Sequence, residues 1–306
     1  MMRRFFSFRR TPTAWTAGMT TDTITTIGSS VIQHGRLNDR IYLMKLSRED
    51  ASSLVPHLDD LASDRGYSKI FAKVPAFTVR EFLAAGYRIE ARVPGFFHGV
   101  EDGVFLGKYF HEDRRDSADP EIGQVVADAL AHAGDSGSKS SCPKWHITRA
   151  GPGDAKYLAA LYGQVFETYP FPITDPRYIR ETMADSVRYF IVEHEGTVIA
   201  ASSAEMDPQA MNAEMTDLAV LPAYRGQGIS SCLLRHMEGA MKEAGIRTAY
   251  TIARAAYPPV NLLFARAGYR FGGTLVNNTS ICGSFESMNV WYKTLSAISS
   301  PRDHGR

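Results

Sequence analysis

A glycine turn between a predicted strand and a predicted helix is the part of the sequence best suited to bind a ligand. Leu218-Ala219-Val220 is typical of the end of a strand, and Pro222 stops the hydrogen-bond ladder because it has no amide proton. Gly226 and Gly228 follow, and the residues after them repeat their apolar side chains at helical spacing. Amides at a helix N-terminus carry about half a positive charge, and glycine lets an anion approach them closely. The spacing therefore predicts a phosphate-binding loop.

The loop residues, Arg225-Gly226-Gln227-Gly228-Ile229-Ser230, form neither the Rossmann glycine fingerprint nor a P-loop. They resemble the acyl-CoA pyrophosphate loop of the GNAT N-acetyltransferases, whose pattern is Gln/Arg-x-x-Gly-x-Gly/Ala. Ser230 departs from this pattern at its last position, where a small hydroxyl replaces Gly or Ala. The resemblance implies that acetyl-CoA binds here as cosubstrate, held by Arg225, Gly226, Gln227, Gly228, Ile229 and Ser230.

Acetyl transfer from a thioester to an amine requires a neutral amine, a polarised carbonyl and a proton for the leaving thiolate. Neutralising an amine of pKa about 10.4 near pH 7 costs about 4–5 kcal/mol. The resemblance implies that the backbone of Leu218, Ala219 and Val220 polarises the carbonyl. It also implies a base on this strand, for which Glu214 is the first candidate and Asp217 the alternative. Strand alternation predicts one face with Glu214, Thr216, Leu218 and Val220, and another with Met215, Asp217 and Ala219.

The sequence leaves more than one candidate for the acid that protonates the leaving thiolate. In the family a tyrosine often stands four residues before the glycine of the second motif, but this chain has Phe264 there. We expect either Tyr257 or Tyr250 to replace it, or the thiolate to leave unassisted. On the same predicted helix, Asn261 is a candidate to hydrogen-bond the pantetheine arm.

The elements around the loop follow the order β-α-α-β-β-β-α-β-α-β-β over residues 145–295. The resemblance implies a GNAT fold of the α/β (α+β) class, in which a mixed, mostly antiparallel central sheet is flanked by helices. We therefore assign the catalytic acetyltransferase domain to residues 144–296, followed by a tail at 297–306.

The N-terminal half contains strands and helices of its own. Residues 82–89 match residues 264–271, and each stretch places a Gly-Tyr pair after a helix. The match predicts a second, degenerate GNAT-like lobe at residues 22–111, which has no counterpart of the glycine loop and so binds no CoA. Residues 112–143, rich in Asp, Ser, Gly and Lys, predict a linker with one short helix.

Composition limits the function classes. The 306 residues are 44% hydrophobic and 22% charged, with a net charge of +1. This balance fits a soluble globular protein of two domains and favours neither nucleic acid nor a membrane as partner. Cys142, Cys232 and Cys282 lack metal-ligand spacing, so we expect no metal, reduced thiols and a cytoplasmic location. A homodimer is left open.

Residues 1–21 are excluded from the fold. They are basic and contain no acidic residue. Such a segment is typical of an organellar transit peptide, of a disordered tail, or of a misread start with Met19 as the true first residue.

Longer stretches resemble the β-lysine N-acetyltransferases, which make Nε-acetyl-β-lysine as an osmolyte. These are residues 30–35, 38–45, 66–75, 94–97, 277–278 and 286–293. The resemblance spans residues 22–295 and implies a small diamino acid, β-lysine, acetylated on its ε-amine. Such a substrate requires a cation for its carboxylate and acids for its distal ammonium. The candidate substrate-binding residues are Glu286, Asn289, Asn277, Asn278 and Tyr169.

Two other functions stay open from the sequence. One is acetylation of a different small amine, such as a polyamine or another amino acid. The other is a non-catalytic acyl-CoA sensor, which is suggested by Phe264 and Ser230 at positions where the family pattern differs.

Overall fold

The computed structural model of the chain describes residues 22–116, 120–135 and 145–295. The predictions made for residues 1–21, for 297–306 and for Cys142 lie outside these residues. Within the described part of the chain, no helix is both long and apolar enough to cross a lipid bilayer.

The described residues form one continuous sheet of thirteen strands. The strands are β1 (Thr23–Ile27), β2 (Ser30–Gly35), β3 (Arg40–Lys45), β4 (Lys69–Pro75), β5 (Arg88–Phe97), β6 (Glu101–Tyr109), β7 (Ile147–Arg149), β8 (Val187–His194), β9 (Thr197–Asp207), β10 (Asn212–Val220), β11 (Thr248–Arg254), β12 (Arg270–Ile281) and β13 (Ser284–Thr294). Their spatial order is β1-β2-β3-β4-β6-β5-β12-β13-β11-β10-β9-β8-β7. The pairs β3–β4 and β10–β11 are parallel and the other neighbours are antiparallel. The predicted mixed, mostly antiparallel sheet is therefore confirmed.

Helices flank this sheet. They are α1 (Leu54–Arg65), α2 (Val79–Ala84), α3 (Glu112–Arg115), α4 (Glu121–Ala131), α5 (Ala155–Val165), α6 (Pro176–Asp185), α7 (Ile229–Glu243) and α8 (Pro258–Arg266). In α7, helical spacing places Leu233, Leu234, Met237 and Met241 on one buried face. Burying each such side chain stabilises the fold by about 1.5–3 kcal/mol. This packing fixes the helix whose N-terminus forms the glycine loop.

The two halves of the sheet have the same strand order. The run β2-β3-β4-β6-β5 corresponds to β9-β10-β11-β13-β12, and β5 meets β12 where the halves join. In each half one helix connects the parallel pair, α1 between β3 and β4 and α7 between β10 and β11. This correspondence supports the predicted second lobe.

Aromatic side chains from both halves pack together near the junction. Phe71, Phe96 and Phe105 share one buried cluster with Tyr250 and Val290. The ring centroid of Phe96 lies 4.9 Å from that of Tyr250. The two halves therefore bury apolar surface against each other, which fixes their relative position.

Some local expectations differ from the structure. In the segment predicted as a linker, α4 packs against α8 and buries Ala129, while Arg114 of α3 is itself buried. Composition alone did not reveal these contacts, because they depend on partners distant in sequence.

The cysteines also differ from expectation. Cys282 is a free, exposed thiol, whereas Cys232 is disulfide-bonded. The expectation of reduced thiols is therefore wrong for Cys232, because spacing along the chain does not report which sulfur atoms meet in space.

Candidate active site

A cleft opens where β10 and β11 separate. Glu214 and Tyr250 form the last pair between these two described strands, although β10 continues to Val220. The opening leads into a cavity of about 1060 Å³ lined by both halves of the chain. Leu218 and Val220 line this cavity, whereas Ala219 packs into the core beside α5.

A bulge in β10 changes the direction of its side chains. The register with β9 shifts between Thr216 and Ala219, and Asp217 has a φ of 51°. As a result Met215 and Val220 pack in the same core cluster. The predicted strict alternation is therefore wrong beyond Thr216, because a bulge inserts one extra residue into the strand.

The glycine loop has the geometry of an anion-binding site. Gly226 and Gly228 have φ values of 76° and 75°, a left-handed conformation that favours glycine. Gly228 is the N-cap of α7, and no side chain of the described residues caps this helix. The helix therefore directs its first amide groups toward the loop, an arrangement that suits the phosphates of a nucleotide cosubstrate.

The loop borders the cavity along most of its length. Arg225 Nε donates a hydrogen bond to the backbone oxygen of Val220 at 3.2 Å, which holds the loop against the end of β10. Gln227 is the one predicted loop residue outside the lining. The residues that line the cavity are Arg225, Gly226, Gly228, Ile229 and Ser230.

Three carboxyl groups line the cavity from neighbouring strands. Glu205 of β9 stands opposite Glu214 of β10, which stands opposite Tyr250 of β11. Asp217 completes the acidic cluster, which we define as Glu205, Glu214 and Asp217. Among the described residues, no three or more His, Cys, Asp or Glu side chains are grouped to hold a metal ion. The cluster instead suits a cationic amine.

Burial changes the proton affinity of the acidic cluster. It raises the pKa of Glu205 to about 8, and the negative charges of Glu214 and Asp217 add to the rise. Burial also raises the pKa of Glu214 and that of Asp217 above their ordinary values. Carboxyl groups with raised pKa values can accept a proton from a bound ammonium near neutral pH.

Two hydroxyl groups fix Asp217. Tyr169 Oη donates to one carboxylate oxygen, and Ser203 Oγ donates to the other at 2.5 Å. These bonds partly offset the effect of burial on the pKa of Asp217. Asp217 thereby orients Tyr169 at the cavity wall.

Lys73 of β4 brings a positive charge from the N-terminal half to the acidic cluster. Its Nζ donates to Tyr250 Oη at 3.1 Å and lies 5.8 Å from the ring centroid of Tyr42. The Tyr250 hydroxyl in turn hydrogen-bonds to Glu214. The ammonium of Lys73 partly offsets the rise in the pKa of Glu214.

The two candidate acids occupy different environments. Tyr257, at the start of α8, lines the cavity and is 46% exposed. Tyr250 is buried, with its hydroxyl engaged by Lys73 and Glu214. Phe264 packs in the core against Tyr269. Of the two candidate tyrosines, Tyr257 is the exposed one at the cavity.

Only part of the predicted substrate set lies at the cavity. Tyr169 and Asn278 line it. Glu286 instead accepts two bonds from Arg254, at 2.7 and 2.6 Å. Asn277 donates to backbone oxygens of the segment that contains α3. Neither Glu286 nor Asn277 is among the lining residues.

Asn261 and Asn289 are buried and bonded to each other. The Nδ2 of Asn261 donates to the backbone oxygens of Arg254 and Tyr257, both at 2.9 Å. Its Oδ1 accepts from Asn289 Nδ2 and from Trp291 Nε1, also at 2.9 Å. Asn261 therefore fastens the start of α8 to the sheet, and its geometry does not offer the predicted bond to a pantetheine arm.

Among the residues that line the cavity and that sequence reasoning missed, four bear most directly on its chemistry. They are Arg40, Tyr42, Lys73 and Glu205. Charged residues within otherwise apolar strands were the available signal, as in the stretches KIFAKVP and TVIAASSAEMD. Their convergence depends on which strands become neighbours, which single-strand patterns do not specify.

Comparison with known proteins identifies relatives of the chain. A sequence model described as the acetyltransferase (GNAT) family matches residues 157–269. The chain is 42% identical over 267 residues to a beta-lysine N(6)-acetyltransferase of Methanococcus maripaludis, covering 87% of this chain and 97% of the relative. A protein of the same name from Methanosarcina mazei is 43% identical over 158 residues, or 51% of this chain and 58% of the relative. The N-acetyltransferase YodP of Bacillus subtilis is 32% identical over 273 residues, or 87% of this chain and 96% of the relative.

Proposed function

The chain belongs to the GNAT acetyltransferase family, and we propose that it transfers the acetyl group of acetyl-CoA to the ε-amino group of β-lysine. The observation that carries the proposal is that the acidic cluster and the glycine loop line one cavity. An acidic cluster attracts an ammonium group, and a glycine loop at a helix N-terminus attracts a pyrophosphate. The name and near full-length similarity of the Methanococcus relative support β-lysine as the acceptor.

On the donor side, the loop from Arg225 to Ser230 holds the pyrophosphate of acetyl-CoA. On the side that faces β11, the end of β10 at Leu218 and Val220 has no strand partner among the described residues and offers backbone groups to the pantetheine arm and the thioester. A backbone amide directed at the thioester oxygen stabilises the negative charge that develops during attack. This arrangement requires no metal ion.

On the acceptor side, Glu214 accepts a proton from the ε-ammonium, with Glu205 as its neighbour for sharing that proton. The neutral nitrogen attacks the thioester carbon, so a carbon–nitrogen bond forms. The nitrogen releases its second proton to solvent as the carbon–sulfur bond breaks, while Tyr257 supplies a proton to the departing thiolate and then regains one from solvent. The net reaction releases one proton together with CoA and the amide.

The product fits a role as a compatible solute. Acetylation replaces an ammonium by a neutral amide, so the remaining amine and carboxylate of β-lysine balance to zero net charge. A small neutral zwitterion perturbs protein electrostatics less than a cation does. In the same proposal the enzyme acts in the cytoplasm, on small molecules rather than on nucleic acid or membrane.

The test is thiol release from acetyl-CoA in the presence of β-lysine. We expect turnover by the wild-type chain and a fall in kcat of about 10²–10⁴-fold in Glu214→Gln, the range expected for loss of a general base. Glu193→Gln, a matched change at an exposed position of β8, should leave kcat unchanged. Equal kcat values for the wild type and Glu214→Gln would contradict the assigned base. Tight CoA binding without turnover on any amine would instead favour a sensor.

A further inference from the structure

Arg40 of β3 is a buried cation without a carboxylate partner. Its side chain lines the cavity, and the residue is 5% exposed. Among the described residues, no Asp or Glu forms a salt bridge with it. The guanidinium lies 5.5 Å from the ring centroid of Tyr42 and 5.8 Å from that of Phe71. Because buried charges are normally paired, an unpaired one in a cavity wall indicates an anionic ligand.

The neighbouring cations, unlike Arg40, have acidic groups close to them. Lys69 pairs with Glu90 at 3.0 Å, and Arg114 lies 3.9 Å from Asp39. Lys73 faces the acidic cluster, whose charges act on it directly. Lys45, which also lines the cavity, pairs with Asp207 at 3.7 Å. Among the described cations that the N-terminal lobe contributes to the cavity wall, Arg40 is therefore the one left to bind an anionic ligand.

Two polar side-chain atoms, on residues that contact each other in this wall, also lack partners among the described residues. Among the described residues, neither Arg40 Nε nor Asn278 Oδ1 has a hydrogen-bond partner, and both side chains are buried. Arg40 Nη1 donates to the backbone oxygen of Asn278 and, at 3.3 Å, to Thr279 Oγ1, so the guanidinium is held in place. A fixed donor and an unpartnered acceptor on two contacting residues complement a ligand that carries both a carboxylate and an ammonium.

The cavity wall is polarised along its length. In the parallel pair of β3 and β4, Arg40 is the register partner of Lys69. Lys73 lies four residues further along β4. At the rise of a strand this separation is about 13 Å. Lys73 contacts Tyr250, which stands beside Glu214. One end of the wall is therefore suited to an anion, and the other end borders the acidic cluster.

We propose that Arg40 binds the carboxylate of the acceptor and Asn278 binds the ammonium next to that carboxylate, so that the distal amine is the one that reaches Glu214. The N-terminal lobe, which has no glycine loop, then supplies acceptor specificity to the catalytic lobe. This inference rests on the proposed function, since it explains how the same cavity selects a diamino acid.

The first measurement needs no variant. β-Lysine and its carboxamide, which is similar in size but lacks the carboxylate charge, are titrated calorimetrically into the wild-type chain. We expect the carboxamide to bind about 30-fold more weakly, because a charge-assisted pair to a buried guanidinium is lost. Equal binding of the two compounds, or no binding of either, would overturn the inference.

The second measurement assigns the effect to Arg40. In Arg40→Gln the preference for the carboxylate should shrink to within about 3-fold, and in Arg40→Lys part of it should remain. Arg48→Gln, at an exposed position of the same lobe, should keep the full preference. A full preference in a folded Arg40→Gln variant would show that another group binds the carboxylate. If Arg40→Gln does not fold, the Arg40→Lys titration decides: full wild-type preference there would overturn the assignment of the carboxylate to the Arg40 guanidinium.

The two proposals can fail separately. If β-lysine binds with the predicted preference but is not acetylated, the proposed function fails and the carboxylate site stands. If β-lysine is acetylated and its carboxamide is acetylated with the same KM, the carboxylate site fails and the proposed function stands.

Discussion

Two carboxyl groups of the cavity, Glu205 and Glu214, stand opposite each other on adjacent strands. Like charges at directly opposite positions repel, and burial strengthens the repulsion. Glu205 and Glu214 therefore share protons rather than ionise independently. Lys73, which belongs to the N-terminal lobe, reduces the repulsion between these two carboxylates with its positive charge. In the proposed reaction, the acidic cluster loses a proton when the cationic substrate enters and accepts one from its ammonium group.

Stability should depend on pH through Glu205. Its pKa of about 8 in the folded chain lies above the ordinary value of 4.5. The folded chain therefore retains a proton that the unfolded chain releases, and stability falls as pH rises through this window. We expect Glu205→Gln to remove a pH-dependent loss on the order of 3 kcal/mol between pH 5 and 8, measured by urea unfolding. An unchanged pH dependence in Glu205→Gln, matching that of Glu193→Gln, would refute the assignment.

Lys73 should set the lower pH limit of activity. Its positive charge favours the ionised form of Glu214, so removing it raises the pKa of Glu214. In Lys73→Met the rising limb of kcat/KM against pH should move to higher pH. Lys108→Met, which removes a lysine paired with Asp59 outside the cavity, should leave the limb in place. If the rising limb of kcat/KM stays at the same pH in Lys73→Met, Glu214 is not the titrating base.

At the level of elements, three departures from regular geometry create the cavity. β10 carries a bulge after Thr216, β10 and β11 separate after Glu214, and α7 begins at a left-handed glycine. Each departure removes local pairing and leaves backbone groups for a ligand. The regular parts of the same elements pack into the core and hold these positions rigidly.

Gly228 should matter for cosubstrate binding more than for folding. Its φ of 75° is a conformation that costs other residues about 1–2 kcal/mol, although a Cβ would find open space. We expect Gly228→Ala to raise the KM for acetyl-CoA about tenfold, because relaxing the strain redirects the first amides of α7.

Gly239 provides the control for that prediction. It lies in the middle of α7, where alanine meets open space and favours the helix by about 1 kcal/mol. Gly239→Ala should raise the melting temperature and leave the KM for acetyl-CoA unchanged. A normal KM in Gly228→Ala would mean that the loop backbone does not hold the phosphates.

At the level of the whole molecule, the two lobes share one sheet and one cavity. β5 and β12 meet at Ala91 and Gly273, where a Cβ on the glycine would clash with the backbone of β5. Beside this contact, Lys69 donates to Glu90 and to the backbone oxygen of Val276 at 2.6 Å. The N-terminal lobe therefore holds the irregular part of β12 that carries Asn278.

Breaking the buried pair at the junction should destabilise the whole chain. Lys69 and Glu90 have side chains that are 0% and 5% exposed. Lys69→Met leaves an unpaired buried carboxylate, which costs about 3–5 kcal/mol, measured by thermal or urea unfolding. Lys45→Met removes a half-exposed lysine that pairs with Asp207 across the lobes, and should cost less than about 1 kcal/mol. Similar losses in the two variants would contradict a structural role for the buried pair.

The parts of the account that the sequence could predict are local in the chain. The end of β10, the glycine loop and the start of α7 follow one another within twenty-one residues of sequence (214–234), so spacing alone revealed them. Glu205, Lys73 and Arg40 come from three strands, and only the sheet order brings them to one cavity. The bulge at Asp217 left no signal in the hydrophobic pattern, because it changes direction without changing residue type. Asn261 is the opposite example, because it was predicted to bind the cosubstrate but its side chain instead holds the start of α8 against the sheet.

The central claim is that this cavity acetylates the ε-amine of β-lysine. The most direct measurement is mass spectrometry of the products formed from acetyl-CoA with equal concentrations of β-lysine, lysine and spermidine. We expect monoacetylated β-lysine as the main product, with fragment ions that place the acetyl group on the ε-nitrogen. β-Lysine left unmodified while lysine or spermidine is acetylated would contradict the account.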